Sequence, residues 1–170
     1  MESAGTTYRP PTHEDAPAIW RLVRDSGTLD VNSLYCYLLL CKDFPATCCV
    51  AEAHGAIAGF VTAYLPPGRG DTLFVWQIGV AAELRGQGVA GRLLQELLRR
   101  DVCRGVRFVE ATVGPSNHAS RALFTALARD MNAALSEQSC FDAKLFPEGN
   151  HESENLLRIG PFSLSQPKSS

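Results

Sequence analysis

Arg85-Gly86-Gln87-Gly88-Val89-Ala90-Gly91 is the stretch on which the fold turns. Residues 73–80 ahead of it are almost continuously apolar, and behind it Val89, Ala90, Leu93, Leu94, Leu97 and Leu98 recur at helical spacing. The order is therefore strand, glycine-rich turn, helix. Such a turn aims several unpaired backbone N–H groups, with the positive end of a helix dipole, at one small volume, which suits a phosphate or pyrophosphate. Gly86, Gly88 and Gly91 let the backbone bend and let an anion approach where a Cβ would obstruct it. The plainer alternative is an ordinary tight connection. Two phosphate loops can be set aside, because the stretch has neither the Gly-Lys-Ser/Thr ending of a P-loop nor Gly-x-Gly-x-x-Gly with a ribose-binding acid downstream.

Working outward, the 170 residues are expected to fold as one domain over 6–162, with a loose terminus over 1–5 and a disordered Ser/Pro/Lys tail over 163–170. A formal net charge of -2 makes no electrostatic case for nucleic acid or an anionic membrane as partner. Residues 1–7 are polar, unlike a signal peptide, and no run is long enough to span a bilayer, so a cytoplasmic protein is expected. The six cysteines, Cys36, Cys41, Cys48, Cys49, Cys103 and Cys140, lack paired Cys-x-x-Cys spacing and are expected as free thiols.

In chain order, a short strand over 7–9 precedes a helix that starts at Thr12, carries Ile19, Trp20, Leu22 and Val23 inward, and stops near Gly27. Asp30, Asn32 and Ser33 stand just before an apolar helical run over 34–41; Asn32 or Ser33 can cap it, and Asp30 can hold a substrate ammonium. Residues 47–53 and 56–64 form a hairpin turning at His54-Gly55, and a Pro/Gly loop leads to the strand over 73–80. The helix behind the glycine turn is expected to run over 89–101 with Arg92, Arg99 and Arg100 outward, followed by a strand over 106–112 parallel to the 73–80 strand. Asn117 leads into a helix over 118–130 with Ala119, Ala122, Leu123, Ala126 and Leu127 as its buried stripe. Residues 133–160 mix short β-like pieces. His151-Glu152-Ser153-Glu154 is no zinc-protease helix, because Asn155 stands where the second histidine is needed; no metal is expected.

Residues 85–90 resemble the Gln/Arg-x-x-Gly-x-Gly/Ala loop of the GCN5-related N-acetyltransferases, and residues 117–124, Asn117 to Phe124, resemble that family's second cofactor segment. Within the superfamily the chain is closely similar to the L-2,4-diaminobutyrate acetyltransferases of ectoine biosynthesis. The matching strings are residues 29–33 with Tyr35 and Tyr37, residues 73–77, and residues 151–154 followed by 158–161. The resemblance implies an α/β (α+β) fold, a mixed central sheet of about six to seven strands flanked by about four helices. It implies acetyl-coenzyme A as co-substrate, its pyrophosphate held by Arg85, Gly86, Gln87, Gly88, Val89, Ala90 and Gly91, and its pantetheine arm lying along Asn117, Ser120 and Phe124. Ile78, Gly79 and Val80 would line the thioester, with backbone N–H groups near Ile78 and Val80 facing the oxygen on which charge develops. A small diamino acid substrate is implied, with Asp30, Asn32, Ser33, Trp76, Gln77 and Glu154 as its binding candidates, and a homodimer through the 34–40 segment or the C-terminal strands. Trp76 can alternatively be a packing residue of the sheet.

An alkylammonium of pKa about 10.4 must lose a proton before it attacks, and Glu152 and Glu154 are the candidate bases. Phe124 stands where many members of the superfamily carry the tyrosine that protonates the leaving thiolate, so either Tyr35, Tyr37, Tyr64 or water substitutes, or the thiolate leaves unprotonated, which a thiol of pKa about 8.5 tolerates. The rivals are another small amine as acceptor, such as a polyamine, an aminoglycoside or a protein N-terminus, or a coenzyme-binding sensor without catalysis.

Overall fold

The computed structural model describes residues 5–164. The expectations for 1–4 and 165–170 lie outside the described residues. Within them run seven strands and four α-helices in the order β1 (Thr7–Arg9), α1 (Ala16–Ser26), α2 (Leu34–Asp43), β2 (Cys49–Ala53), β3 (Ala56–Tyr64), β4 (Thr72–Val80), α3 (Val89–Leu98), β5 (Phe108–Val113), α4 (His118–Asp130), β6 (Leu135–Phe141) and β7 (Glu154–Ile159). The sheet order is β1-β2-β3-β4-β5-β7-β6. It is mixed: β4 and β5 pair in parallel, while β1/β2, β2/β3, β5/β7 and β6/β7 are antiparallel. The expected fold class is the one observed.

The chain forms two compact units. The first contains the described residues up to Tyr64 together with Val75–Arg104. Its hairpin closes at His54 and Gly55, both in the left-handed region at φ 52 and 75 as a tight two-residue turn requires. Ala16, Ile19 and Val23 of α1 meet Tyr37 and Cys41 of α2 and Val50 and Phe60 of β2 and β3 in one buried cluster. α1 begins later than its sequence suggests: residues His13–Asp15 form a 3₁₀ turn, because the Asp15 carboxylate accepts from the Thr12 N–H at 2.7 Å and tightens the entry. α3 is shorter than expected. Arg100 leaves the helix in extended conformation, and its guanidinium caps the carbonyls of Pro45, Ala46 and Cys48 instead of pointing outward. Residues Pro45–Thr47 are correspondingly a 3₁₀ turn, so β2 starts at Cys49 rather than at Thr47.

The second unit contains Leu65–Phe74 and the described residues from Gly105 onward. The β4–β5 ladder pairs Thr72, Leu73 and Phe74 with Phe108, Val109 and Glu110 and ends there, while β4 continues to Val80. The buried Glu110 carboxylate accepts from Arg69 at 3.0 Å and is paired with Arg158, so its charge is fully answered. The buried stripe of α4 is Phe124, Leu127 and Ala128; Ala119 and Ala122, expected inside, are exposed. The helix therefore presents a face rotated toward Phe124, the bulkiest apolar side chain available to it.

Candidate active site

In the first unit, a 3₁₀ turn over Ala82–Leu84 brings the chain off β4, and Gly86 and Gly88 then take φ of 75 and 79, a region that strains any side chain. Gly88 is the N-cap of α3, and no side chain caps that end, so the N–H groups of the first turn remain directed outward along the dipole. An added Cβ at Gly91 would meet nothing within 4 Å, which leaves the first turn open to a close-lying anion. Gln87 does not face outward with its amide: Nε2 donates to the Glu83 carbonyl at 3.0 Å and closes the turn from behind. Arg85 donates from Nε to the Val80 carbonyl at 3.2 Å, fastening the turn to the end of β4. Arg92 donates to Glu96 at 2.8 Å, so the positive charge nearest α3 is partly answered within the helix.

The end of β4 has a readable parity. The Gln77 N–H donates to the Thr62 hydroxyl of β3 at 3.3 Å, its carbonyl accepts from the same hydroxyl at 3.3 Å, and the Ala81 N–H donates to the Ala58 carbonyl at 2.8 Å. Alternate residues of a strand send both backbone groups to the same side, so 77, 79 and 81 face β3, and Ile78 and Val80 point their N–H groups the other way. Packing by itself already demands glycine at position 79. A Cβ there would lie 2.8 Å from Phe60 Cε1 and 3.2 Å from Leu29 Cδ1, so glycine is demanded by the core.

The Asp30 loop is suspended from that core. The Asp30 carbonyl accepts from Gln77 Nε2 at 2.9 Å and from Asn32 Nδ2 at 3.2 Å, and the Trp20 indole N–H donates to the Asn32 carbonyl at 3.0 Å. The Asp30 residue itself is exposed. Ser33 is the N-cap of α2 and accepts from the Cys36 N–H at 3.4 Å, and Asn32 is spent on holding the loop. Gln77 is buried, and Tyr37 donates its hydroxyl to Gln77 Oε1 at 2.8 Å. Trp76 stacks on Tyr37 with centroids 6.0 Å apart and packs against the cluster below it. Burial raises the Tyr37 pKa, and a hydroxyl with no exposure that already donates to Gln77 is not available to protonate a thiolate.

In the second unit, the Asn117 side chain accepts from the Ser120 N–H at 3.1 Å and caps α4, while Phe124 is only 3% exposed. Glu152 is pinned: Oε2 accepts from the Ser116 hydroxyl at 2.8 Å and from its N–H at 3.2 Å. That oxygen lies where a Cβ on Gly114 would come within 2.6 Å. Hydrogen bonding from the Ser116 hydroxyl, then its N–H, holds the Glu152 carboxyl below the usual carboxylate range, a poor property in a base. Glu154 opens β7, and its Oε1 is 3.8 Å from His151 Nε2. His151 Nδ1 lies 2.7 Å from the Glu152 carbonyl, which can only accept, so Nδ1 carries a proton and Nε2 is left facing Glu154. The ring is stacked on Phe146 with centroids 3.9 Å apart. His151 enters the sequence reading only within the 151–154 string that carries the resemblance, and its i,i+3 spacing to Glu154 is the further signal.

The profile of the Acetyltransferase (GNAT) family matches residues 13–128. A curated L-2,4-diaminobutyric acid acetyltransferase of Halalkalibacterium halodurans is 52% identical over 156 residues, 92% of this chain and 82% of its own. One of Marinococcus halophilus is 50% identical over 153 residues, 90% of this chain and 88% of its own. Among solved structures, the diaminobutyrate acetyltransferase of Paenibacillus lautus, in complex with its substrate L-2,4-diaminobutyric acid and coenzyme A, superposes at a TM-score of 0.90 with 44% identity, covering 95% of this chain and 98% of its own. Ard1 of Thermoplasma volcanium, at 16% identity and a TM-score of 0.72, shares the fold.

Proposed function

We propose, from the premise that the chain belongs to the acetyltransferase (GNAT) family, that it transfers the acetyl group of acetyl-coenzyme A to the 4-amino group of L-2,4-diaminobutyrate. The product is N4-acetyl-L-2,4-diaminobutyrate, a step of ectoine biosynthesis. The observation that carries this reading is the likeness, at 44% identity over 95% of the chain, to an enzyme solved with that diamine and coenzyme A. Relatives at about that identity or higher bear the same activity in their names.

Acetyl-coenzyme A supplies an activated acyl group as a thioester; the chain's residues divide the rest of the work. The turn over residues 85–91 takes the diphosphate through main-chain N–H groups and the uncapped end of α3. Ile78 and Val80 direct N–H groups at the carbonyl oxygen, and the strand parity described above supports that assignment. Asp30 holds the ammonium that does not react, by a charge-assisted hydrogen bond. Glu154, faced by His151 Nε2, takes the proton from the reacting amine, while Glu152 holds the loop at Ser116. Asn117, Ser120 and Phe124 are assigned to the pantetheine side of α4. The thiolate leaves to solvent without a protein acid, since a thiol of pKa about 8.5 tolerates that.

We assign the protein to the cytoplasm as a homodimer. Its six cysteines are all free, in keeping with a reducing compartment. Exposed Leu34, Tyr35, Leu39 and Phe44 on and after α2 offer apolar surface for a symmetric contact. Sedimentation equilibrium reads the dimer mass.

The test of function is thiol release from acetyl-coenzyme A with diaminobutyrate, diaminopropionate, ornithine, lysine and spermidine side by side. Diaminobutyrate is expected to give the highest kcat/KM. Strong turnover with the polyamine alone sinks the assignment, and coenzyme binding with no turnover on any amine makes the protein a sensor.

A further inference from the structure

We propose that Gln77 is a positioning residue that sets which diamine length the enzyme accepts, by fixing the Asp30 loop relative to the end of β4. The proposal rests on Asp30 being the anchor for the unreactive ammonium.

The hydrogen bonds around Gln77 have a forced direction. The Asp30 carbonyl can only accept, so the Gln77 end that meets it at 2.9 Å is the amino group. The amide oxygen therefore faces Tyr37 at 2.8 Å, and the tyrosine hydroxyl must donate. The chain Tyr37 O–H to Gln77 Oε1, Gln77 Nε2–H to Asp30 O has one self-consistent orientation and no alternative flip. Both ends are fixed. Tyr37 has no exposure and sits in the cluster with Ile19, Cys41 and Phe60, and the Gln77 main chain is held on both of its groups by the Thr62 hydroxyl. Gln77 is 7% exposed, so its amide is spent inside the protein and is not a substrate contact.

The consequence follows from the position of Gln77 in the chain. Its neighbour Ile78 carries one of the N–H groups assigned to the thioester oxygen, and its side chain carries the loop that holds Asp30. One rigid side chain thus spans from the place where the amine reacts to the place where its other nitrogen is held. A diamine is a rod with a nitrogen at each end, and selecting it by length needs both ends fixed; one methylene is worth roughly 10- to 200-fold in kcat/KM where a site is rigid. If the loop floats, Asp30 follows longer and shorter rods and the selection fades. Asn32 Nδ2, at 3.2 Å from the same carbonyl, keeps the loop from unravelling when Gln77 is changed.

The experiment compares the full-length wild type with Gln77→Glu, Gln77→Leu and Tyr37→Phe, each checked by thermal unfolding. KM and kcat are measured for diaminobutyrate, diaminopropionate and ornithine, and KM for acetyl-coenzyme A. Gln77→Glu keeps an acceptor for Tyr37 and loses the donor to Asp30. It is expected to raise the diaminobutyrate KM about tenfold, leave the acetyl-coenzyme A KM within about twofold, and reduce the preference for diaminobutyrate over the other two amines. Tyr37→Phe, which keeps the core volume, is expected to shift the same quantities in the same direction and less. Equal change in both KM values, or lost activity with the amine preference intact, makes Gln77 a merely structural residue and overturns the proposal. Wild type that turns over diaminobutyrate beside unaltered variants overturns it alone; wild type that acetylates none of the three amines overturns the assigned reaction as well.

Discussion

Gly91 and Gly79 lack side chains for opposite reasons, and two alanine substitutions separate them. At Gly91 an added methyl has nothing within 4 Å and the residue lies inside α3, so Gly91→Ala is expected to keep or raise stability, by up to about 1 kcal/mol. The same methyl stands where the diphosphate is proposed to lie, and the KM for acetyl-coenzyme A should rise about tenfold. Gly79→Ala meets Phe60 and should cost about 1–3 kcal/mol instead. Thermal unfolding beside the coenzyme KM reads both; an unaltered KM in Gly91→Ala removes the diphosphate from that turn. The carboxylates divide in the same manner. Asp30→Ala is expected to raise the amine KM and Glu154→Gln to lower kcat, each about tenfold or more, with the coenzyme KM unchanged. Glu152 is ionised well below neutrality because Ser116 donates to it, so Glu152→Gln should leave the pH at which the rate rises unaltered, and a shift of that limb would make Glu152 the base after all. The turn glycines were legible in the sequence because positive φ selects glycine so strongly. Gln77 was legible as a site candidate, but its bond to Tyr37 was not, because the two are forty positions apart and no local pattern records that pairing.

Helices α1, α2 and α3 and strands β2 to β5 follow from apolar spacing and turn residues, since each carries buried apolar side chains, whereas β1 has none fully buried and is read from its turn residues. β6 does not, because all seven of its residues are exposed and it has no apolar alternation to read; its pairing with β7 defines it. β7 carries the signal that was available, with Leu157 and Ile159 buried on one side of Arg158. That the β4–β5 ladder pairs only as far as Phe74 has no local signal in the sequence, since pairing joins residues far apart in the chain. α4 is tied to this hairpin by Arg121, which donates to both oxygens of Glu137 at 2.9 and 2.6 Å, while Asn155 donates to the same carboxylate at 2.8 Å. Those donors, Arg121 first, hold the Glu137 pKa down to about 2, so the brace is charged throughout the working range. Glu137→Gln removes the charge and keeps the shape. Hydrogen exchange at Leu135–Phe141 and in the first turn of α4 is expected to quicken several-fold, with exchange in β2 and β3 unchanged. Uniform quickening across all strands would mean that Glu137 acts on global stability and not on this hairpin.

Over the whole molecule, pH acts from two sides. At the acid end, Asp15 is held below the usual carboxylate range, first by its hydrogen bonds from Arg9; its contribution is present above the unfolded pKa near 4 and is lost as pH falls through the lower folded value. At the alkaline end the buried thiols govern. Burial pushes Cys48 and Cys103 from 9.0 up to about 11 and Cys41 up to about 12. A thiol whose folded pKa is raised keeps its proton while the unfolded chain loses it, so stability is full below pH 9 and falls as pH climbs toward the folded values. Each such thiol contributes a slope of at most about 1.4 kcal/mol per pH unit, three together about 4. Against a total stability of order 5–15 kcal/mol, that slope removes a large share of the stability before the folded pKa values are reached. The urea midpoint is therefore expected to hold steady from pH 7 to 8.5 and to drop steeply between about 9.5 and 11. Cys103→Ala should flatten that drop in part, since it removes one of several buried thiols, Cys49 among them, that burial raises. An alkaline drop unaltered by Cys103→Ala would assign the loss to other groups, Tyr37 first, whose phenol is also raised by burial.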